Sequence, residues 1–342
     1  MHAMSRRTNC RAFDKKMGLV PLLALIAVWA LGVCLSAPSV QAQPSEIVFK
    51  APGLYPESFT YYAPANKFYV GSMKFGKIGT VDMTGNYQTV SDDPGLISTL
   101  GVAQDAPRKR LLVCISDLGL SSRTSPATVN KTARLAVFDI ESGQLTRIVD
   151  LVKSVPGRHL ANDVVADSDG NAYVTDSWGP YVYKVTPEGE ASVFVRDARL
   201  RAKQGKVGLD GIAYSPEGYI IVNHYDHGLL YRIDLKSRKV TPVRVRLRMY
   251  GADGMFFDSQ GRLYVVQNHL ATPKGHNAVT LLKSRDHWRS ATVVANRQFP
   301  ATQVQGVILP DKTVYALRDK LELLLEKKPD AETFSIAPID VK

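Results

Sequence analysis

The sequence predicts an all-β protein, a six-bladed β-propeller whose blades are four-stranded antiparallel sheets. In six segments a residue that is usually polar opens an apolar strand, and a turn and a second apolar strand follow. We call these six the lead residues: Glu57, Leu100, Asn162, Asp210, Asp253 and Gln305. They are 43, 62, 48, 43 and 52 residues apart, close to the roughly 40–50 residues that one propeller blade requires. Helical periodicity is almost absent from the chain.

The first 42 residues have the pattern of a secretory signal. Five basic residues between Arg6 and Lys16 precede the apolar run LVPLLALIAVWALGVCL, and small residues follow up to Ala42. An uncleaved membrane anchor is the alternative, because the run approaches the ~20 residues that span a bilayer. Pro21 and the small residues favour cleavage. We therefore expect a signal peptide over 1–42, a propeller over 43–342, and a periplasmic or secreted product with no stable membrane insertion.

Composition limits the partners of the exported chain. Without residues 1–42 it keeps 38 basic and 31 acidic residues, a formal charge of +7. The basic residues are dispersed, so we expect no nucleic-acid binding. The densest cluster, Arg244, Arg246 and Arg248, alternates with apolar residues, which predicts the solvent face of an outer strand.

Cys114 lies in the apolar run LLVCIS and is predicted to be a buried hydrophobic residue. We expect a monomer that acts on a small molecule.

The strands of each blade follow from runs of apolar residues between turns. The fourth blade is clearest, with DGIAYS, YIIVNHY, LLYRIDL and VTPVRVRL, and the third and fifth blades repeat the scheme. Gly170, Gly218 and Gly261 occupy the first turns of these blades, where glycine supplies a positive φ. We expect SEIVFK at 45–50 to close the ring as the outer strand of the last blade. The alternative is that TFSIAPI at 334–340 takes that place.

Two insertions, at 116–132 and 267–277, lengthen the connection between the second and third strands of their blades. That connection emerges on the face where the first strands begin, so both loops should overhang the end of the channel that holds the lead residues. Long loops on a rigid scaffold often select the substrate. The candidate contacts on these connections are Lys74, Asp117, Asp176, Trp178, His224, His227, Asn268 and His269. The His224 and His227 pair is favoured because it shares a blade with Asp210.

Four lead residues are oxygen donors: Glu57, Asn162, Asp210 and Asp253. Equivalent positions of a propeller converge on its axis, so these side chains should meet. A donor set of oxygens suits Ca²⁺, which takes six to eight of them at about 2.3–2.6 Å. Mg²⁺ or Mn²⁺ is the alternative, and Zn²⁺ is disfavoured. Any one acid could instead cap a strand end, but carboxylates brought together without a cation would repel one another.

The segments that carry the lead residues resemble those of the gluconolactonase/regucalcin-like six-bladed propellers, relatives of the paraoxonases and diisopropylfluorophosphatase. The resemblance is strongest in ANDVVADSDGNAYVTDS at 161–177 and ADGMFFDSQGRLYVVQ at 252–267. It implies a glutamate, two asparagines and an aspartate around a catalytic divalent ion. Glu57, Asn162 and Asp253 match these residues by type, whereas Asp210 stands where the family more often has asparagine. Leu100 stands where paraoxonases place a histidine.

The resemblance, together with the four oxygen donors, implies a metal-dependent hydrolase of lactones or related esters. The metal would polarise the carbonyl and stabilise the oxyanion, as metals do in this class of reaction. A carboxylate, Asp253 with Asp210 as the second candidate, would remove a proton from the attacking water. One alternative is a non-catalytic propeller that binds a ligand or protein. The other is a strictosidine-synthase-like enzyme without a catalytic metal, against which the four oxygen donors argue.

Overall fold

The computed structural model describes residues 45–341, so the predicted signal peptide at 1–42 lies outside the described residues. These residues form six four-stranded antiparallel sheets, which confirms the predicted six-bladed propeller. No helix in this part of the chain has the length and apolar character needed to cross a bilayer.

The strands follow one another blade by blade along the chain. Strand β1 (Ile47–Lys50) comes before blade 1, which contains β2 (Phe59–Tyr62), β3 (Lys67–Val70), β4 (Ile78–Asp82) and β5 (Tyr87–Ser91). Blade 2 contains β6 (Ser98–Asp105), β7 (Arg110–Ser116), β8 (Ala133–Asp139) and β9 (Leu145–Asp150). Blade 3 contains β10 (Ala161–Ala166), β11 (Ala172–Asp176), β12 (Tyr181–Val185) and β13 (Ala191–Arg196).

Blade 4 contains β14 (Leu209–Ser215), β15 (Tyr219–His224), β16 (Leu229–Asp234) and β17 (Val240–Val243). Blade 5 contains β18 (Ala252–Phe257), β19 (Leu263–Gln267), β20 (Ala278–Lys283) and β21 (Thr292–Gln298). Blade 6 contains β22 (Gly306–Ile308), β23 (Val314–Arg318) and β24 (Thr333–Ile339). Short helices occur in the connections: 3₁₀ turns at Ala63–Ala65, Ala106–Arg108 and Ala198–Leu200, and α1 (Leu321–Leu325).

The N-terminal strand closes the ring. Strand β1 pairs with β24 along the outer edge of blade 6, with Ile47 opposite Ile336 and Lys50 opposite Thr333. The segment TFSIAPI is therefore the third strand of that blade, and SEIVFK provides the fourth, which confirms the first of the two predicted arrangements. Blade 6 is thus built from both ends of the described chain, and this pairing fixes the first blade beside the last.

A β-bulge marks the lead position in four blades. In blades 2 to 5 the pairing of the first two strands shifts by one residue, at Leu100-Gly101, Asn162-Asp163, Asp210-Gly211 and Asp253-Gly254. A bulge leaves one residue unpaired, bends the strand and re-aims its side chain. The repeated bulge therefore gives each of these lead residues the same local geometry at the start of the first strand.

Contacts between blades bring the lead residues close together. Thr175 Oγ1 donates to the backbone oxygen of Asp210 at 2.6 Å, and Asn223 Nδ2 donates to that of Asp253 at 2.6 Å. Each bond joins the second strand of one blade to the lead residue of the next. A Cβ added to Gly211 would lie 2.1 Å from the backbone oxygen of Asp253. Glycine directly after Asp210 is therefore needed for the backbones of blades 4 and 5 to approach so closely.

Smaller predictions also have structural outcomes. The turn glycines Gly170, Gly218 and Gly261 have positive φ, as predicted, and Cys114 is buried, also as predicted.

The prediction that the arginine cluster, Arg244, Arg246 and Arg248, lies on an outer strand is wrong. Strand β17 ends at Val243, and the cluster lies beyond it in an irregular segment tied to blade 5 by a single bridge between Arg244 and Ser290. The arginines are nevertheless exposed, so the alternation reflects solvent contact without strand pairing.

Candidate metal centre

Three carboxylates from lead residues meet at the axis. One carboxylate oxygen from each of Glu57, Asp210 and Asp253 lies within 4.8 Å of the other two. The three acids come from blades 1, 4 and 5 and are 43 to 196 residues apart in sequence. Glu57 and Asp210 are buried, and Asp253 is partly exposed. Closure of the ring therefore creates this group, as the repeated sequence pattern predicts.

Burial makes the three negative charges unfavourable in the absence of a cation. Burial, followed by repulsion from Asp253, raises the pKa of Glu57 and of Asp210 well above the ordinary value. Burial also raises the pKa of Asp253 to about 7, although a hydrogen bond from Asn268 lowers it. None of the three forms an ion pair with Lys or Arg in residues 45–341. The group lacks a positive partner from the described chain.

Two further buried carboxyls lie near this group. Asp163, beside Asn162, accepts hydrogen bonds from the backbone nitrogens of Val164 at 2.9 Å and Ile212 at 3.2 Å, and burial raises its pKa to about 7. Asp319, directly after β23, is fully buried, and its charge raises the pKa of Glu57. Five carboxyl groups are therefore crowded around the axis, and burial raises the pKa of Asp319 well above the ordinary value as well.

Asn162 occupies the bulge of blade 3 that corresponds to Asp210 in blade 4 and Asp253 in blade 5. Its Nδ2 donates to Ser177 Oγ at 2.9 Å. This bond uses the amide nitrogen and leaves the carboxamide oxygen as the atom available to a cation. The amide is buried, so its orientation is held by the protein.

The donor set fits a hard divalent cation. Two oxygens bound to one Ca²⁺ at about 2.4 Å can be at most about 4.8 Å apart, and the three carboxylates satisfy that limit. Asp210 Oδ1 is buried without a hydrogen-bond partner in the described residues, which is costly for an isolated polar atom. A bound cation would satisfy this oxygen and offset the repulsion among the acids. The residues present therefore form a group that can hold a metal.

Asp253 is held by a hydrogen-bonded neighbour. Asn268, directly after β19, donates through Nδ2 to Asp253 Oδ2 at 2.7 Å and to the Gln303 backbone oxygen at 3.2 Å. Its Oδ1 accepts from Tyr225 OH and from the Leu270 backbone nitrogen. The sequence predicts Asn268 as a substrate contact, and the structure buries it fully against the acid group. It is the one residue among the eight loop candidates with a described hydrogen bond to this group.

The histidine pair stacks and bonds elsewhere. The rings of His224 and His227 lie 3.9 Å apart, and His224 Nε2 donates to the Arg201 backbone oxygen at 3.2 Å. Burial lowers the pKa of His224 to about 4, so its ring is neutral at neutral pH. Neither histidine has a described hydrogen bond or ring contact with Glu57, Asp210 or Asp253. Their described contacts connect blade 4 to the connections before and after it, through the backbone oxygen of Arg201 and the side chain of Arg248.

The remaining loop candidates have contacts of their own. Trp178 is covered by the Arg158 guanidinium, 4.5 Å from the ring centroid, and the exposed His269 contacts Asn277. Lys74 pairs with Asp330 at 2.6 Å. Two buried aspartates organise loops: Asp117 accepts from Gly119, Thr124 and Thr128, and Asp176 accepts from Leu160, Trp178, Gly179 and Tyr183 and contacts His159.

Sequence reasoning missed several residues of this region: Asp163, Tyr225, Gln303 and Asp319. A positional signal was present for two of them. The residue directly after the second strand is buried in blades 2 to 6, and these residues are Asp117, Ser177, Tyr225, Asn268 and Asp319. A polar residue at the end of an apolar strand resembles a loop residue in the sequence, whereas the structure buries this position, and Ser177 and Asn268 bond directly to the lead residues Asn162 and Asp253. The repeat of that position along the chain would have identified Tyr225 and Asp319.

Known proteins share both sequence and fold with this chain. The family model described as the SMP-30/Gluconolactonase/LRE-like region matches residues 55–272, more than half of the chain. Trichothecene biosynthesis protein 14 of Trichoderma arundinaceum is 23% identical in an alignment 305 residues long that covers 81% of this chain and 80% of that protein.

Two solved structures have the same fold. The major allergen Mala s 1 of Malassezia sympodialis is 17% identical, with a TM-score of 0.67 over 87% of this chain and 97% of the allergen. The calcium-binding protein regucalcin of Agrobacterium tumefaciens is 15% identical, with a TM-score of 0.57 over 87% of this chain and 95% of regucalcin. At these identities the likeness to both structures concerns the fold.

Proposed function

The chain belongs to the SMP-30/gluconolactonase/LRE-like family, and from this premise we propose that it is a metal-dependent hydrolase of lactones or related esters. The observation that carries the proposal is the group of three carboxylates at the axis, two buried and one partly exposed, within reach of one cation and without a basic partner in residues 45–341. The calcium-binding description of the regucalcin structure supports Ca²⁺ as the ion. Other divalent cations that prefer oxygen ligands are the alternative.

Glu57, Asp210, Asp253 and the Asn162 carboxamide oxygen would hold the ion. When bound, the cation would polarise the ester carbonyl and stabilise negative charge on its oxygen. The protein surrounds this position with buried side chains, which excludes bulk water and strengthens electrostatic interactions there. Partial exposure of Asp253 makes it the acid of the group that solvent can reach.

Asp253 is the proposed general base. A carboxylate has about four lone-pair sites, so Asp253 can accept from the Asn268 amide at Oδ2, 2.7 Å away, offer an oxygen to the cation and still accept the proton of the attacking water. As the water oxygen bonds to the carbonyl carbon, its proton passes to Asp253. The ring C–O bond then breaks, and the proton returns from Asp253 to the departing oxygen, which yields a hydroxy acid. A positioned carboxylate that takes up the proton during attack and returns it to the departing oxygen serves both transfers.

We expect purified protein to hydrolyse at least one member of a lactone panel and to lose that activity after chelation. Re-addition of Ca²⁺ should restore it, because the acid group regains its positive partner. Initial rates measured by pH indicator before chelation, after chelation and after re-addition test this. Activity that is indifferent to chelation, together with unchanged rates when each of the four proposed ligands is replaced, would refute the proposal.

A further inference from the structure

The hydrogen bonds around Asp253 extend across three blades. Tyr225 from blade 4 donates through its hydroxyl to Asn268 Oδ1. Asn268 from blade 5 donates to Asp253 Oδ2 at 2.7 Å and to the backbone oxygen of Gln303, which leads into blade 6, at 3.2 Å. Tyr225 and Asn268 are both buried. The chain of bonds therefore runs in one direction, from the tyrosine hydroxyl through the amide to the carboxylate.

The orientation of the Asn268 amide depends on its donors. Its Oδ1 accepts from Tyr225 OH and from the Leu270 backbone nitrogen, so Nδ2 must face the two acceptors, Asp253 and Gln303. A flipped amide would place Oδ1 against two other oxygens in a buried site, which is unfavourable. Tyr225, together with the Leu270 N–H, therefore determines which atom of Asn268 faces the carboxylate.

The backbone holds both residues rigidly. Gly251 donates its N–H to the Tyr225 backbone oxygen at 3.0 Å and accepts the Asn268 N–H at 2.9 Å. The Tyr225 hydroxyl also accepts the N–H of Ala271 at 3.1 Å, which ties it to the insertion at 267–277. A side chain fixed at both its backbone and its tip can hold a neighbour in one geometry.

We propose that Tyr225 and Asn268 are positioning residues, which fix the Asp253 carboxylate in the orientation that cation binding and proton removal require. The inference rests on the proposed function, because Tyr225 and Asn268 are proposed to act through Asp253, the proposed cation ligand and base. Partners that orient a ligating group typically change metal affinity or activity by about 10–100-fold when they are replaced. Tyr225 and Asn268 are such partners for Asp253.

The test is the variant Tyr225→Phe, which removes one hydroxyl and keeps the ring. We expect the Kd for Ca²⁺, measured by calorimetry, to rise about tenfold, and kcat to fall about tenfold with KM within about twofold. The matched control is Tyr173→Phe, which also deletes a buried hydroxyl bonded to a carboxylate, that of Asp167 at 3.0 Å in blade 3. The control should lower Tm by a similar amount and leave Kd and kcat unchanged.

A double-mutant cycle separates positioning from general loss of stability. In an Asn268→Leu background, Tyr225→Phe should change the Ca²⁺ Kd by no more than about twofold, because the residue through which it acts is gone. An equal effect in both backgrounds, or a lower Tm with unchanged Kd and kcat, would overturn the inference. Wild-type protein that binds Ca²⁺ but hydrolyses no ester would refute the proposed function alone, and the Kd values would still test the positioning role. Wild-type protein that binds no Ca²⁺ would overturn both.

Discussion

Replacement of Asp253 by asparagine is expected to lower kcat for lactone hydrolysis by about a thousandfold, within the range that general bases contribute. Asparagine has nearly the same size, and its oxygen can still accept the bond from Asn268 that reaches Asp253 Oδ2 at 2.7 Å. It cannot take up a proton from water. Because Asp253 is also a proposed cation ligand, steady-state kinetics at saturating Ca²⁺ on the best substrate of the panel measures the effect, with circular dichroism to verify that the variant is folded.

The matched control for this prediction is Asp319→Asn. Asp319 is a fully buried acid near the axis that lies outside the group of three, and its Oδ2 has no hydrogen-bond partner in residues 45–341. An amide at this position keeps the oxygen that accepts from the Leu321 backbone nitrogen at 3.2 Å. We expect kcat within about threefold of wild type, since this residue is not proposed to accept the proton. A thousandfold loss in the control, or none in Asp253→Asn, would remove Asp253 from the role of base.

The second large effect concerns the protein without a cation. Folding raises the pKa of Glu57 and Asp210 well above the ordinary carboxyl value and that of Asp253 to about 7. The folded state therefore binds more protons than the unfolded state between about pH 4 and pH 7. Stability from these groups is fully present below about pH 4 and is lost as the pH rises through the folded-state pKa values. Chelated protein should thus be less stable at pH 8 than at pH 5.

Asp210→Asn should remove part of this penalty. We expect the chelated variant at pH 8 to have a Tm higher than wild type by about 3 °C, as roughly 1 kcal/mol gives in a domain of this size. The stabilisation on adding Ca²⁺ should be smaller than in wild type, because one charged ligand is missing. Differential scanning calorimetry with chelator and with Ca²⁺ measures both quantities. A variant less stable than wild type in chelator, with an undiminished gain from Ca²⁺, would show that Asp210 is not a repelled carboxylate.

The sequence was sufficient to predict the ring and the position of its lead residues. A polar residue before an apolar strand recurs at blade spacing, so Glu57, Asp210 and Asp253 could be assigned to one axis before any coordinates. The closing role of the N-terminal strand followed from the same count of strands. These features are local patterns repeated along the chain, and a propeller converts repetition in sequence directly into proximity in space.

The surroundings of Asp253 could not be predicted in this way. Tyr225 and Asn268 look like loop residues in the sequence, since burial of the position after each second strand depends on how neighbouring blades pack. The hydrogen bond between them joins two blades across 43 residues, and no periodic pattern encodes it. The strand prediction for the arginine cluster is wrong for a related reason. Alternation indicates exposure, whereas a strand also needs continuous pairing with a neighbour, and beyond Val243 only the bridge between Arg244 and Ser290 is present.

The decisive test of the proposed metal centre is a high-resolution crystal structure of the protein grown with saturating Ca²⁺, with anomalous data collected. We expect one cation peak among the carboxylates of Glu57, Asp210 and Asp253, with the Asn162 oxygen also bound. Asn268 should still donate to Asp253 in that structure. An axis without a cation peak at saturating Ca²⁺, or a cation bound elsewhere while the three carboxylates point apart, would show that the acids do not share an ion.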